Sequence, residues 1–439
     1  MPSVSQVTPK PGGQRLEFGL YTGGPAGQLV VPAAAKPDVP SKILASLAAL
    51  RPANAPFTVH LYRGYFSDAS DAREEQEQRK LVSSYTGHGY GVEIVLRYRR
   101  DDDPAGFARF VRGVVDRFGS NPLVRGFQVT NEVNFTASGD SSDGAYSGAR
   151  DALIQGVIAA KDEARRRGYS QLRIGFNWFY RTDPGNEDSF WSYLHDHGGA
   201  AFARSVDWVG LDVYPGTFFP PSTAPAMTGD WIVNALSQLH GCFLHEGGLS
   251  KSTPIHVEEN GYPTGPGRSE ADQRTALESM VGAVNRYRAN YGVTSYFWFD
   301  LRDADTSSPN FQQQYGLMHD DYTAKPVFGS FRALIDQLSV RRSPPPSVAP
   351  VPHRRVILLE VRCWRHGVVA ALKGQGVSEV RGVRFFARGR YAGDTQPPFH
   401  KRIRLAPTRH RRTRWVHAQV RTRSAKIRLA RSARCQIYN

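Results

Sequence analysis

Between residues 15 and 338 a short apolar run is followed by an amphipathic one eight times over, and no single residue limits the fold as much as that alternation. The strand-like runs are RLEFGLY (15–21), FTVHLYR (57–63), GVEIVLRY (91–98), VRGFQVTNE (124–132), LRIGFNWF (172–179), VDWVGLDVY (206–214), PIHVEEN (254–260) and SYFWFD (295–300). Helical stripes fall near 41–50, 71–84, 104–118, 146–167, 189–204, 231–245 and 270–290, with an eighth ending at residue 338. DPAGFARFVRGVVDRFGSNP carries the full punctuation. Asp103 can cap, Pro104 suits the first turn, Phe107, Phe110, Val111, Val114, Val115 and Phe118 form a stripe, and Gly119 ends it. Strand-then-helix units build a parallel sheet, and eight of them predict an α/β fold of the (β/α)8 barrel type. A doubly wound open sheet competes, but it usually has fewer strands and often carries a Gly-rich phosphate loop after the first. Here the first strand is followed by YTGGPAGQ, which lacks the G-x-G-x-x-G spacing.

The alternation stops at VRRSPPPSVAPVP (340–352), a Pro-rich stretch predicted to be an extended, semi-rigid spacer. The expected organisation is a barrel over 1–339, a linker over 340–352 and a small all-β sandwich over 353–439. In that last part VILLEVRCW, VRGVRFFARGRYAGD, HKRIRLA and RWVHAQVRTRSAKIRLA read as strands and turns with no helical stripe. The charge divides at the same place. From Val351 to Asn439 there are 22 Lys+Arg against 3 Asp+Glu, which leaves 34 against 37 for residues 1–350.

Nearly all these cations are Arg, and many recur at alternate positions, as on the wet face of strands. Such a face could meet an anionic polysaccharide, a charged envelope or nucleic acid. Nucleic acid would call for aromatics among the cations. Phe385, Phe386, Tyr391 and Trp415 fit a core equally well, so it is not the expected partner. No window approaches 18 consecutive apolar residues, and no membrane span is expected.

In a barrel, groups at the C-terminal ends of the strands meet over one mouth. The fourth strand, GFQVTNEVNF, ends in Asn131-Glu132, and the seventh, PIHVEENGYPT, ends in Glu258-Glu259-Asn260. Glu132 and Glu259 are 127 residues apart, the span of three strand-helix units, so their strands stand across the opening from each other. Two opposed carboxyl groups are the minimal equipment for cleaving a glycosidic bond. One must be protonated to release the leaving oxygen, and the other ionised to meet charge at the anomeric carbon.

With these motifs the chain resembles glycoside hydrolase clan A, the retaining β-glycosidase barrels, in the manner of families 5 and 39. TNEVN resembles the clan's N-E-P signature and EENGYPT its E-N-G signature, and the likeness covers about residues 15 to 338. It implies Glu132 as acid/base and Glu259, which precedes Asn-Gly, as nucleophile. It further implies Asn131 on the sugar 2-hydroxyl, Arg63 as the cation that keeps the nucleophile ionised, and Tyr214 as a donor to the nucleophile. Trp298 would floor the first sugar subsite, and Trp178 would contact substrate or sit in the core. No cofactor and no metal are expected.

The chain departs from the pattern at Val133, where proline is usual, at Asp212-Val213-Tyr214, where His-x-Tyr is common, and at Tyr98-Arg99-Arg100-Asp101, which lacks a histidine pair. The alternative reading is a catalytically silent barrel that binds glycan or polyanion, using the basic domain. VRFFARGRYAGDTQPPF resembles bacterial immunoglobulin-like modules.

Three cysteines remain. Cys242 reads as a small buried hydrophobe, and no pair has zinc-site spacing. Cys363 and Cys435 are a candidate disulfide between the first and last strands of the small domain. That bond would place the protein in an oxidising compartment, secreted or extracellular. The opening MPSVSQVTPKPGGQ has no apolar signal-peptide core, which leaves a cytoplasmic location open.

Overall fold

A computed structural model describes residues 8–10, 15–24, 35–52, 55–66, 68–182, 187–339, 357–364, 366–373, 375–387, 390–407, 412–422 and 426–435. The chain forms two compact units, residues 9–341 and residues 342–439 together with 1–8. The expected spacer at 340–352 lies outside the described residues.

The first unit is a closed ring of eight parallel strands, as the alternation predicts: β1 (Glu17–Tyr21), β2 (Phe57–Tyr65), β3 (Gly91–Tyr98), β4 (Val124–Val129), β5 (Arg173–Phe179), β6 (Trp208–Val213), β7 (Ile255–Asn260) and β8 (Val293–Trp298). Each strand pairs with the next, and β8 returns to β1 with Trp298 opposite Leu20. Strands β3 and β6 are buried along their whole length. Both faces of such a strand are covered, one by the barrel interior and one by helices, so its sequence is mostly apolar and its few charged residues, Glu93, Arg97 and Asp212, are buried too.

Helix punctuation follows the sequence. Asp103 accepts a 2.8 Å hydrogen bond from the Gly106 amide at the start of the helix Pro104–Phe118. Ser269 and Asp272 form a reciprocal capping box ahead of the helix Glu270–Tyr291. The 189–204 and 231–245 stripes are each interrupted by a wider turn, at Leu194–Gly198 and Leu239–Phe243.

Three strands end earlier than the sequence reading has them, β6 by one residue at Val213. β4 stops at Val129 because Thr130 and Glu132 take positive φ, 66° and 50°. β8 stops at Trp298, so Phe299 and Asp300 lie beyond it.

The segments after β7 and β8 are tied together by one buried cation. Lys325 Nζ reaches Asp303 Oδ1 at 2.7 Å and Thr264 Oγ1 at 2.9 Å, with both charged side chains fully buried. Asp303 Oδ1 also accepts from the Gly316 amide at 2.9 Å, next to Tyr315 at the mouth of the barrel. No helix among the described residues is long and apolar enough to cross a membrane.

The second unit is all antiparallel: β9 (Leu358–Trp364), β10 (Gly367–Lys373), β11 (Val380–Ala387), β12 (Arg390–Asp394), β13 (His400–Arg404), β14 (Arg412–Thr422) and β15 (Lys426–Cys435). They form a three-stranded sheet, β13-β10-β9, and a four-stranded one, β12-β11-β14-β15. Leu359, Val361, Val368 and Ile403 of one sheet share a core with Val383, Phe385, Val416 and Val420 of the other, which makes a sandwich. On β13 the cations alternate as expected: Arg402 and Arg404 are exposed and Ile403 between them is buried. Cys363 is disulfide-bonded and Cys242 is a free, half-buried thiol; the side chain of Cys435 lies outside the described residues.

Removing one partner of a buried ion pair leaves an uncompensated charge. Lys325→Ala is therefore expected to lower barrel stability by about 3–5 kcal/mol in urea unfolding. A loss below about 1 kcal/mol, the range of solvated surface pairs, would show that this pair does not hold the two segments.

Candidate active site

The turn after β4 answers why a strand should end in an amide beside a carboxylate. Left-handed backbone at Thr130 and Glu132 costs about 1–3 kcal/mol per residue and persists only where its surroundings fix it. Three hydrogen bonds do so. The Thr130 amide donates to Leu96 O, the Asn131 amide to Asp143 Oδ2 and the Glu132 amide to Asn177 Oδ1, each at 2.8 Å. Asp143 is fully buried and also accepts from Arg97 Nε and from the Tyr98 amide, both at 2.8 Å, so one carboxylate joins the ends of β3 and β4. Asn131 turns its amide to the cavity edge. Its Nδ2 donates to Ser141 O, and its Oδ1 accepts from Gln128 and Asn177.

At β7 two adjacent glutamates are both buried. Ordinary strand alternation would send one of them outward. A bulge against β6, where Leu211 pairs with Val257 but Asp212 with Glu259, removes that conflict. Gly210 makes room, since a Cβ there would meet the Glu258 side chain at 2.7 Å and Asn177 at 2.9 Å.

Glu258 occupies the barrel interior with His60, Glu93 and His256. His60 Nε2 lies 2.9 Å from Glu258 and 3.0 Å from Glu93, and His256 Nδ1 lies 2.8 Å from Glu258. Burial opposes the charges here, but the pairing outweighs it, raising His60 to about 10 and holding Glu258 at about 2. Glu259 is instead the focus of three phenols. Tyr62 donates to Oε1 at 2.7 Å, Tyr21 to Oε1 at 3.2 Å and Tyr214 to Oε2 at 2.8 Å. Burial raises all three hydroxyls well above their ordinary value, so they remain donors.

Glu132 receives none of this. Among the described residues no hydrogen-bond donor reaches its carboxyl group, which faces the cavity. Burial, then the charge of Glu259, raise its pKa well above the usual carboxylate range, against the opposing pull of Arg97. One carboxylate oxygen from each of Glu132, Asp212 and Glu259 lies within 4.8 Å of the other two. Asp212 is fully buried, and burial followed by the charges of Glu259 and Glu132 raise it strongly as well. It accepts a hydrogen bond from Asn177, the same amide that holds Asn131 and Glu132.

Among the described residues, this triad and the set His60, Glu93 and Glu258 are the clusters with ligand atoms close enough to hold a cation. The second already contains a cation, the protonated His60. Above Glu132 and Glu259 opens a cavity of about 690 Å³, walled by Tyr62, Asn131, Tyr214 and Phe299 with rings from the end of β5 and from the segments after β4 and β6.

Of the residues named from sequence, Glu132, Glu259, Asn131 and Tyr214 converge on this cavity. Three do not. Arg63 points outward to Glu74, 3.5 Å away, and lies over Phe110; its neighbour Tyr62 faces Glu259. Trp298 is fully buried against Phe331, its indole donating to Tyr315 O, and the next residue, Phe299, lines the cavity instead. Trp178 is fully buried among Trp191 and Phe243 and donates to Glu187, while Asn177 beside it points inward. Tyr21, Asn177 and Asp212 were missed as site residues. The signal for Asp212 was present, as the acid standing where His-x-Tyr was expected.

No protein-family model and no curated protein matches the sequence. Solved structures do. A β-glucosidase from Thermotoga maritima, in complex with a substituted glucoimidazole, superposes with a TM-score of 0.51 at 12% identity over 76% of this chain and 100% of that one. The GH5_18 protein from Streptomyces cattleya, in complex with GlcNAc, gives 0.53 at 15% identity over 76% and 82%. A GH5_18 from Bifidobacterium longum subsp. infantis gives 0.51 at 12% over 74% and 79%. The shared feature is the barrel.

A carboxyl group whose pKa is raised by folding stabilises the fold below its unfolded value and loses that contribution as pH rises through the folded one. Asp212→Asn removes the group that must ionise. The melting temperature of the variant minus that of wild type should therefore increase between pH 5 and pH 8. A constant difference across that window would mean that Asp212 titrates as an ordinary carboxylate.

Proposed function

We propose that the barrel is a retaining β-glycosidase, with Glu132 as acid/base and Glu259 as nucleophile. The observation that carries the reading is the spacing: carboxylate oxygens within 4.8 Å, from strands on facing sides of one ring. Retaining enzymes hold their carboxyl groups roughly 5–5.5 Å apart, and inverting ones leave roughly 6.5–9.5 Å for a water. The unequal surroundings support these roles. An ionised carboxylate can only accept, and three phenols donate to Glu259. Glu132 has no donor among the described residues and a raised pKa, the condition of a group that keeps its proton. The β-glucosidase and the GH5_18 proteins among the fold neighbours add support at the level of architecture.

In the first step a Glu259 oxygen bonds the anomeric carbon. The glycosidic C–O bond breaks, and its electron pair leaves on an oxygen that takes the Glu132 proton. In the second step water bonds the same carbon, gives its proton to the Glu132 carboxylate and releases Glu259. Asn131, held rigid on its inner side, is placed to meet a sugar hydroxyl, and the face of Phe299 to meet the ring. Tyr62, Tyr21 and Tyr214 hold the nucleophile in line.

The disulfide at Cys363 supports an oxidising, extracellular setting for the protein. The exposed cations of β13 support contact of the C-terminal sandwich with an anionic polymer, and the strand pattern supports its likeness to immunoglobulin-like modules.

The test is hydrolysis of a panel of aryl β-glycosides, with the anomer first formed read by proton NMR. Wild type should give the β-anomer first, and Glu259→Gln should be inactive on every member. Glu132→Gln should lose about 10²–10⁴-fold in kcat/KM on phenyl glycosides and far less in kcat/KM on dinitrophenyl ones, whose leaving group needs no proton, while kcat falls on both because the second step has lost its base. Release of the α-anomer, or equal loss in kcat/KM on both leaving groups, would contradict the assignment.

A further inference from the structure

Proton donation by Glu132 puts the leaving group against Glu132, so the wall on that side decides what can leave. That wall is made of phenylalanine. Phe135 follows Glu132 by three residues, and its amide donates to the Glu132 carbonyl at 2.8 Å. Phe179, at the end of β5, is fixed by Asn134, which bonds its carbonyl at 2.8 Å and its amide at 2.9 Å. Phe218 and Phe219 come from the segment after β6 and complete the arc. The ring centroids of Phe135 and Phe179 are 5.1 Å apart, those of Phe179 and Phe219 5.6 Å, and those of Phe135 and Phe219 6.5 Å, at angles of 49°, 73° and 79°. Tilted rings of this kind enclose a corner; they do not offer one flat platform.

Phe135, Phe218 and Phe219 are all partly exposed to the cavity. Polar groups also line the cavity, among them Asn131, Ser138, Asp140, Thr217 and Asn310, but the phenylalanine rings pack against one another as one continuous apolar patch. Such a patch sorts what lies against it by polarity. A sugar in the aromatic corner would bury hydroxyls against rings that offer them no partner. An apolar group there would cover surface that is otherwise left in water.

We propose that the leaving-group half of the cavity takes an apolar aglycone, an aryl or alkyl group, in preference to a second sugar. The inference rests on the glycosidase reading and deepens it by naming the substrate class: a β-glycoside of a phenol or an aliphatic alcohol. Phe135, Phe179 and Phe219 are its specificity residues. Their aromatic corner binds the aglycone while Asn131 and the other polar lining hold the sugar.

The experiment has two stages, both on the full chain. A p-nitrophenyl β-glycoside panel first identifies the sugar that wild type hydrolyses and Glu259→Gln does not. The n-alkyl β-glycosides of that sugar, from methyl to octyl, are then used as competing ligands. Inhibition constants should fall by about four-fold per buried methylene until the corner is full, at least ten-fold between methyl and hexyl. Phe219→Ala should flatten the series, while Phe219→Leu, which keeps an apolar side chain of similar reach, should retain most of the slope. A flat series in wild type, or tighter binding of a β-linked disaccharide than of the octyl glycoside, overturns the aglycone assignment and leaves the glycosidase standing. No hydrolysis anywhere in the panel removes both.

Discussion

Two buried carboxyl groups whose oxygens lie within 4.8 Å cannot both carry a full charge without cost, because like charges at that distance in a desolvated site oppose each other's ionisation. The architecture around the mouth resolves that conflict by treating them differently. Glu259 collects donors from β1, β2 and the end of β6, and Glu132 collects none among the described residues. Tyr21, Tyr62 and Tyr214 are brought together only because the ring closes. An open sheet would put β1 and β7 far apart, and Glu259 would lose part of its shell.

The position of Glu132 rests on a second arrangement, carried by two buried side chains. Asp143 ties the amide of Asn131 to the end of β3, and Asn177 ties the amide of Glu132 to β5 and β6. Each supplies the partner that a left-handed backbone turn needs in order to persist. The acid is thus aimed by its main chain, which leaves its carboxyl group free to exchange a proton. Asp212 extends the same amide network and adds a third acid to the floor of the cavity.

The architecture was legible because eight strand-helix alternations admit few closed solutions, and the acids were legible because a barrel collects strand ends at one mouth. Three side chains weighed for the mouth were replaced there by a sequence neighbour, and always for one reason. Arg63 gave way to Tyr62, Trp178 to Asn177 and Trp298 to Phe299. A strand covered on both faces reads as a mostly apolar run, so its period of two is certain while its phase is not. The large residue is then the natural guess, and in a barrel the large residue often packs outward under a helix, as Trp298 does against Phe331. The tyrosines on Glu259 and the phenylalanines beside Glu132 carry no motif; only the closed ring assembles them.

The bulge in β7 has a consequence for how such a chain can vary. By letting consecutive acids both face inward, it stacks a paired plug of His60, Glu93 and Glu258 beneath Glu259. Deleting one residue there would restore simple alternation and rotate one of the two glutamates into the helical layer, dismantling either the plug or the tyrosine-held carboxylate. Length changes among descendants of this sequence should accumulate in the connecting segments, with the residue count of β7 held constant.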